Sequence, residues 1–389
     1  MEQAYVIILA NGLNGLGAVR SAVHAGIKAY TLVANAKDLS AYSRYSRPFE
    51  LIPRNPTVSE IKPILDRIRD VEGTPGVVLA CSDPSAELIG QLKDMGYTAH
   101  HLIGPTSEAT NILNDKRREC LVMESGGVTL PKTYYLLDEE RPESYPVLIK
   151  PRSFREYEAL GSKNLVLNDS READEFREKF RDQLDKFIAQ EIIPGADDNL
   201  WVCNVTFDLN QELSACFVFN RLGTMPSHYG VTSLAISRDN QILREECERI
   251  GKALGYTGPA MIEFKRDPRS GKYYYIETNP RLGMCNWFDT RCGINNVLAS
   301  ARVANGDPVD FQPQKNDRIY WNFFGDLIAR LENREKILTI ARLYLGLLRR
   351  HRVGAIFYWR DPLPALKYSW DTVQNVMIRV VRVIRKAMA

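Results

Sequence analysis

"MIEFKRDPRSGKYYYIETNPRLG" runs from Met261 to Gly283. Two short alternating runs flank the turn-rich Asp267-Pro268-Arg269-Ser270-Gly271, which is the pattern of a β-hairpin. Side chains alternate faces along a strand, so Glu277 and Asn279 share one face. A turn centred near Ser270 sets Glu263 opposite or diagonal to Glu277 on that face. Like charges across a ladder repel, and a cation between them removes the conflict. Two carboxylates and an amide oxygen form an all-oxygen set, suited to Mg²⁺ rather than zinc. Arg281, just beyond the strand, has the donor fork to clamp a phosphate oxygen. The hairpin alone reads equally well as a solvated face whose acids are neutralised by Lys265 and Arg266, so the rest of the chain has to decide.

Outward from the hairpin, the 389 residues are enough for two or three domains with substantial cores. There is no run of eighteen apolar residues in the chain, so no spanning helix is expected. MEQAYVIILANG lacks a basic leader and reads as a first strand. The seven cysteines, at 81, 120, 203, 216, 247, 285 and 292, are scattered without a C-x-x-C. They predict reduced thiols and a cytoplasmic protein. The five histidines lack metal spacing, which argues against a zinc site. The net charge of +3 is unevenly spread: residues 342–389 hold ten Lys/Arg and two acids, +8, leaving −5 for the body.

Residues 1–105 alternate strand and helix: YVIILA, a glycine turn and helix, AYTLVA, a helix over 59–71, GVVLAC, then a helix over 84–95. This rhythm predicts a doubly wound parallel-sheet domain. The turn Gly12-Leu-Asn-Gly15-Leu-Gly17 opens a helix. It fits an anion site made of free N–H groups, and equally a tight strand-to-helix packing. Further on, NDKRRECLVMES is a helix with Asn114-Asp115-Lys116 at its start, and YPVLIKP a strand with Lys150 at its end. A lysine closing an apolar strand reaches into a cleft or snorkels to water, and the cleft is favoured here. FIAQEIIPG is a short strand ended by Pro194-Gly195, and Arg221 follows another strand.

Lys116, then Ile149-Lys150-Pro151, then Gln190-Glu191-Ile192-Ile193-Pro194-Gly195 with Asp198, and finally Glu263, Glu277, Asn279 and Arg281 stand in order. Together they resemble the ATP-grasp superfamily, specifically its carboxylate–amine ligases, over about residues 1–310. The ordered set turns the reading of the hairpin toward metal. The resemblance implies an α/β and α+β architecture. An N-terminal domain (1–105) precedes lobe A (106–190) and lobe B (191–310), which grip ATP, and a basic helical extension follows (311–389). It implies that Lys116, Lys150 and Lys163 meet the phosphates, that Glu191 and Ile193 lie along the adenine, and that Asp198 holds the ribose. Glu263, Glu277 and Asn279 are the implied ligands of Mg²⁺, with Mn²⁺ the alternative. Lys150, Arg221 and Arg281 are the implied catalytic cations, neutralising charge at the reacting centre. The chemistry implied is amide or peptide bond formation through an acyl phosphate, with small-molecule carboxylate and amine substrates. No nucleic acid is expected, and a homodimer is an open arrangement.

The phosphate loop departs from the glycine-rich form. PRSFREYEALGSKNLVL has only Gly161-Ser162-Lys163, which looks more like the D-aspartate ligases, as does NPRLGMCNWFDTRCGINN. His228 is a candidate proton acceptor or simple loop polarity; Arg291 binds a substrate carboxylate or makes a surface ion pair. Asp83 and Ser85 sit at a sheet edge where ligands gather, or cap a helix. The final stretch, with Val373, Val376, Met377, Val380, Val381, Ile384 and Ala387 on one stripe among Arg379, Arg382, Arg385 and Lys386, reads as a helix packed on the body or lying on an anionic membrane. Two rivals remain: a nucleotide-binding regulatory protein without turnover, and a relative of the biotin-dependent carboxylases.

Overall fold

The computed structural model describes residues 5–46, 49–138, 140–153, 156–162, 164–226, 230–309 and 312–374. The first unit is built from β1 (Tyr5–Ala10), α1 (Gly12–His24), β2 (Lys28–Val33), β3 (Phe49–Leu51), α2 (Val58–Glu72), β4 (Val77–Ala80), α3 (Asp83–Asp94) and β5 (His101–Leu102). Its strands form one parallel sheet in the order β3-β2-β1-β4-β5. The reason for the unbroken apolar run in β1 is visible in its two faces. Tyr5, Ile7 and Leu9 pack against Ile61 and Leu65 of α2, and Val6, Ile8 and Ala10 against Ala18 and Ala22 of α1.

The Gly12–Gly17 turn lies within α1, not before it. The Gly12 N–H already donates to the Asp38 carboxylate at 2.7 Å. A Cβ at Gly15 would meet the Ala10 Cβ at 2.6 Å, and one at Gly17 the Asn286 Oδ1 at 2.0 Å. Tight packing is the physical use of these two glycines.

Next come α4 (Ser107–Leu113), α5 (Lys116–Ser125), β6 (Thr133–Tyr135), β7 (Val147–Pro151), α6 (Tyr157–Leu160), β8 (Leu165–Leu167), α7 (Ser170–Lys179) and β9 (Phe187–Glu191). The four strands make an antiparallel sheet, β6-β9-β7-β8, and Ala173 and Phe176 of α7 complete its core.

The rest comprises β10 (Leu200–Phe207), β11 (Leu213–Met225), β12 (Val231–Ser237), α8 (Gln241–Leu254), β13 (Gly258–Arg266), β14 (Tyr273–Asn279), α9 (Asn286–Arg291), α10 (Asn296–Ala304), β15 (Ile319–Trp321), α11 (Phe323–Glu332), α12 (Ile337–Leu348) and β16 (Arg352–Gly354). Its sheet runs β14-β13-β10-β11-β12-β15-β16. α8 covers one face through Leu243, Cys247 and Ile250, while Phe288 of α9 covers the other against Phe217 and Phe219.

The segment beyond residue 311 is therefore not purely helical as expected. YWN closes β15 on β12, and helix begins only at Phe323, where the Asn322 side chain accepts from the Gly325 N–H at 3.3 Å. Among the described residues, no helix is long and apolar enough to cross a membrane.

Candidate active site

The hairpin forms as read from its sequence. Glu263 of β13 pairs directly with Glu277 of β14, and Met261 with Asn279. One extra residue on β14, between Tyr275 and Glu277, makes a bulge beside the paired carboxylates. Between the four-stranded and seven-stranded sheets lies a cleft of about 720 Å³, lined by Lys116, Lys150, Glu191, Ile193, Arg221, Glu263, Glu277, Asn279 and Arg281. Residues spread over 166 positions of sequence thus share one cavity.

On the carboxylate side, Arg221 reaches from β11 across β10 and pairs with Glu263. Both are buried. Burial opposes the Arg221 charge, but Glu263 outweighs it and holds the guanidinium above its ordinary value. The Arg221 Nε–H is buried without a hydrogen-bond acceptor. Arg281 leaves the end of β14 and donates to Asp83 at 2.8 Å and to the Asn279 Oδ1 at 3.0 Å. Asp83 is thereby a brace between α3 and the hairpin. Ser85 instead completes the cap of α3, donating to the Ser82 carbonyl at 2.8 Å.

On the lysine side, Lys116 is the first residue of α5, whose cap is Asp115. Its ammonium lies 2.8 Å from Glu119 and 3.9 Å from Glu277. Burial would lower the Lys116 ammonium; Glu119 and Glu277 together raise it above its ordinary value. Lys150, near the end of β7, donates to the Gln190 Oε1 at 2.6 Å. Burial, and then the charge on Lys116, push Lys150 below its ordinary value.

Three neighbours were given no role in the sequence reading, although Gln190 stood in the quoted motif. Glu119 is buried and accepts from Lys116, from the Tyr275 hydroxyl at 2.5 Å and from the Thr278 N–H at 3.4 Å. Its one sequence signal was the spacing of three from Lys116. Gln190 holds Lys150 and donates to Thr133 at 3.0 Å. Arg152 makes a two-point bridge to Asp115 at 2.7 and 2.5 Å, fastening α5 to the end of β7.

Other expected residues fall elsewhere. Asp198 sits on the turn before β10 and is absent from the cleft lining. Its carboxylate accepts from Asn199 at 2.9 Å. Arg291 stacks over Trp287 at 5.6 Å and faces a different depression, so the substrate-carboxylate role has no support there. Lys163 and His228 lie outside the described residues.

A divalent cation fits this donor set. Two facing carboxylates and an amide supply hard oxygen ligands, with Lys116 and Arg221 beside them. A buried, unanswered N–H on Arg221 suits an incoming anion.

The chain matches the family model of the carbamoyl-phosphate synthase L chain ATP binding domain over residues 232–312, which include the hairpin. It is similar to a D-aspartate ligase of Enterococcus faecium, with 27% identity over 78% of each chain. It is also similar to a biotin carboxylase of Nostoc sp., with 28% identity over 54% of this chain and 50% of that one. Among solved structures, N5-carboxyaminoimidazole synthetase from Staphylococcus aureus shares the fold, with a TM-score of 0.64 at 15% identity over 85% of each chain. An L-amino acid ligase from Bacillus licheniformis does so with a TM-score of 0.55 at 16% identity, over 78% of this chain and 75% of that one.

Proposed function

We infer that this chain, which belongs to the ATP-grasp carboxylate–amine ligases, uses ATP to join a carboxylate to an amine in the cleft between its two antiparallel sheets. The observation that carries the reading is the direct pairing of Glu263 with Glu277 across from Lys116 and Lys150. We assign Glu263, Glu277 and Asn279 to Mg²⁺, with Mn²⁺ as a substitute. Lys116 and Lys150 are assigned to nucleotide phosphates, and Lys163 with them. Glu191 and Ile193 are assigned to the adenine side and Asp198 to the ribose, though its position outside the cleft wall makes it the weakest member of the set. The division into 1–105, 106–190, 191–310 and 311–389 belongs to the same proposal.

Bound Mg²⁺ supplies charge neutralisation on phosphate oxygens. The protein's own part is placement and charge. A carboxylate is a poor electrophile, and phosphorylation by the γ-phosphate makes it an acyl phosphate with ADP as the leaving product. Attack by the amine then forms the C–N bond and expels phosphate. Both steps gather negative charge on oxygen, which Lys150, Arg221 and Arg281 are placed to offset. None of this needs a nucleophilic side chain.

Similarity to the D-aspartate ligase over most of both chains supports an amino acid as one of the two substrates. The seven free, buried cysteines agree with a reducing cytoplasm. The test is ADP release with Mg-ATP across pools of amino acids, peptides and amines, beside Glu277→Gln. Turnover that needs both a carboxylate and an amine, and falls by about 100-fold in the variant, supports a ligase. ATP binding without turnover in every pool supports a regulatory protein.

A further inference from the structure

Three of the seven cysteines meet at one place in the core. Cys203 lies on β10 and Cys216 on β11. The antiparallel register pairs Cys203 with Val218 and Val205 with Cys216, so the two thiols are diagonal neighbours on one face of the seven-stranded sheet. Cys247 packs against them from α8, on the helix face that also holds Leu243 and Ile250. All three residues are fully buried, and their sulfurs lie within 4.8 Å of one another. Cys81, Cys120, Cys285 and Cys292 are buried too, but stand outside this group. A cysteine used only as a small apolar filler needs no other thiol beside it. Here three elements each bring a sulfur to a single point, which is the arrangement of a ligand set.

The donors name the ion. An all-sulfur set selects a soft metal, unlike the hard oxygen set of the cleft. Structural zinc is almost always held by four ligands, and among the described residues this group has three, with no carboxylate or imidazole joining them. Three thiolates without a fourth donor suit Cu(I). A flat triangle of sulfurs about 2.3 Å from a central ion has edges of about 4.0 Å, so sulfurs already within 4.8 Å close on an ion with little movement. Arg244, itself buried, donates to the Cys216 carbonyl at 3.2 Å and pairs with the exposed Asp239 at 2.7 Å. It sets a positive charge beside the thiolates that the ion requires. Binding releases the thiol protons to solvent.

We propose that Cys203, Cys216 and Cys247 form a buried three-sulfur site for Cu(I), tying α8 to the sheet beneath it. Glu263 pairs with Val202 while Cys203 pairs with Ile262, so the thiols lie on the sheet face opposite the cleft carboxylates. The inference therefore stands or falls separately from the ligase reading.

The test is anaerobic titration of the reduced full chain with Cu(I) in competition with a chromophoric chelator. It is run on the native protein, and on protein unfolded in denaturant and refolded with Cu(I) present, which removes slow entry into a closed core as a cause of failure. The expected result is about one Cu(I) per chain, three sulfurs in its shell by X-ray absorption, and a raised thermal unfolding midpoint. Cys216→Ala and Cys247→Ala are each expected to weaken Cu(I) binding by at least about 100-fold. Cys216→Ser and Cys247→Ser keep the side-chain size and give the same readout where an alanine variant does not fold. Cys292→Ala, which removes a buried thiol from the core on the other face, is expected to bind like the parent. No bound Cu(I) in either arm, binding that survives these substitutions, or uptake of Zn(II) in preference to Cu(I) overturns the proposal.

Discussion

At the scale of single residues, the cleft works by unequal treatment of two lysines. Lys116 has Glu119 and Glu277 beside it and stays firmly charged, whereas Lys150 has Gln190, a neutral acceptor, and the repulsion of Lys116. The Lys150 ammonium therefore deprotonates below the ordinary 10.5. A bound phosphate favours the charged form, so above this pKa the free protein must take up a proton in order to bind. ATP affinity is expected to fall as pH rises through a midpoint below 10.5, with that midpoint absent in Lys150→Met. Titration calorimetry across pH checks it. Glu119 has the opposite character: it contacts no solvent and holds Lys116, Tyr275 and Thr278 at once. Glu119→Ala is expected to cost about 2–3 kcal/mol of stability and to weaken ATP binding, read by denaturant unfolding and calorimetry. Lys116→Met should weaken binding with a smaller loss of stability, because Lys116 is still partly exposed.

At the scale of elements, glycines in α1 illustrate how far local sequence reaches. GLNGLG fits an anion turn and a tight packing equally in sequence; in the structure Gly12 already serves Asp38, and Gly15 and Gly17 are places where Ala10 and Asn286 press on the helix. Gly15→Ala is expected to destabilise the protein by about 1–3 kcal/mol through overpacking, without affecting ATP binding. Thermal unfolding together with calorimetry separates the two effects. The parallel sheet and the hairpin were readable because their signals are local: an unbroken apolar strand, then alternation around a proline–glycine turn. The pairing of Glu263 with Glu277 followed from strand period alone. Elements set by distant partners were not readable. Thr224 and Thr232 flank a proline–glycine stretch with little apolar pattern, yet are buried and paired to each other across β11 and β12. YWN looked helical, but it pairs with β12, where Tyr320 stacks on Phe288 at 5.7 Å. Arg291 was open in sequence between a substrate carboxylate and a surface ion pair; Met284 and Cys285 line the cleft, whereas Arg291 stacks over Trp287 outside it.

At the scale of the whole molecule, one buried ion pair ties the two ends of the chain. Arg20 of α1 donates to the Asp361 carboxylate at 2.9 Å and to its carbonyl at 3.1 Å, and both side chains are fully enclosed. Ser43 and the Arg44 N–H complete the shell of Asp361 at 2.8 and 2.9 Å. Removing one partner strands the other charge in the interior. Asp361→Ala is expected to cost about 3–5 kcal/mol, read by denaturant unfolding. Joint replacement of Arg20 and Asp361 by apolar residues of similar size should recover most of that loss. The same tie fastens the turn before the helix over 363–374 to the parallel-sheet unit, at a distance in sequence of 341 residues.

The most direct test of the central claim follows oxygen atoms through the reaction. The carboxylate substrate identified by ADP release is labelled with ¹⁸O on both oxygens and turned over with Mg-ATP and the amine. An acyl phosphate transfers one labelled oxygen to inorganic phosphate and leaves the other in the amide product. Labelled phosphate in step with ADP, lost in Glu277→Gln, is the predicted result. Unlabelled phosphate, or label appearing in AMP, would contradict the account.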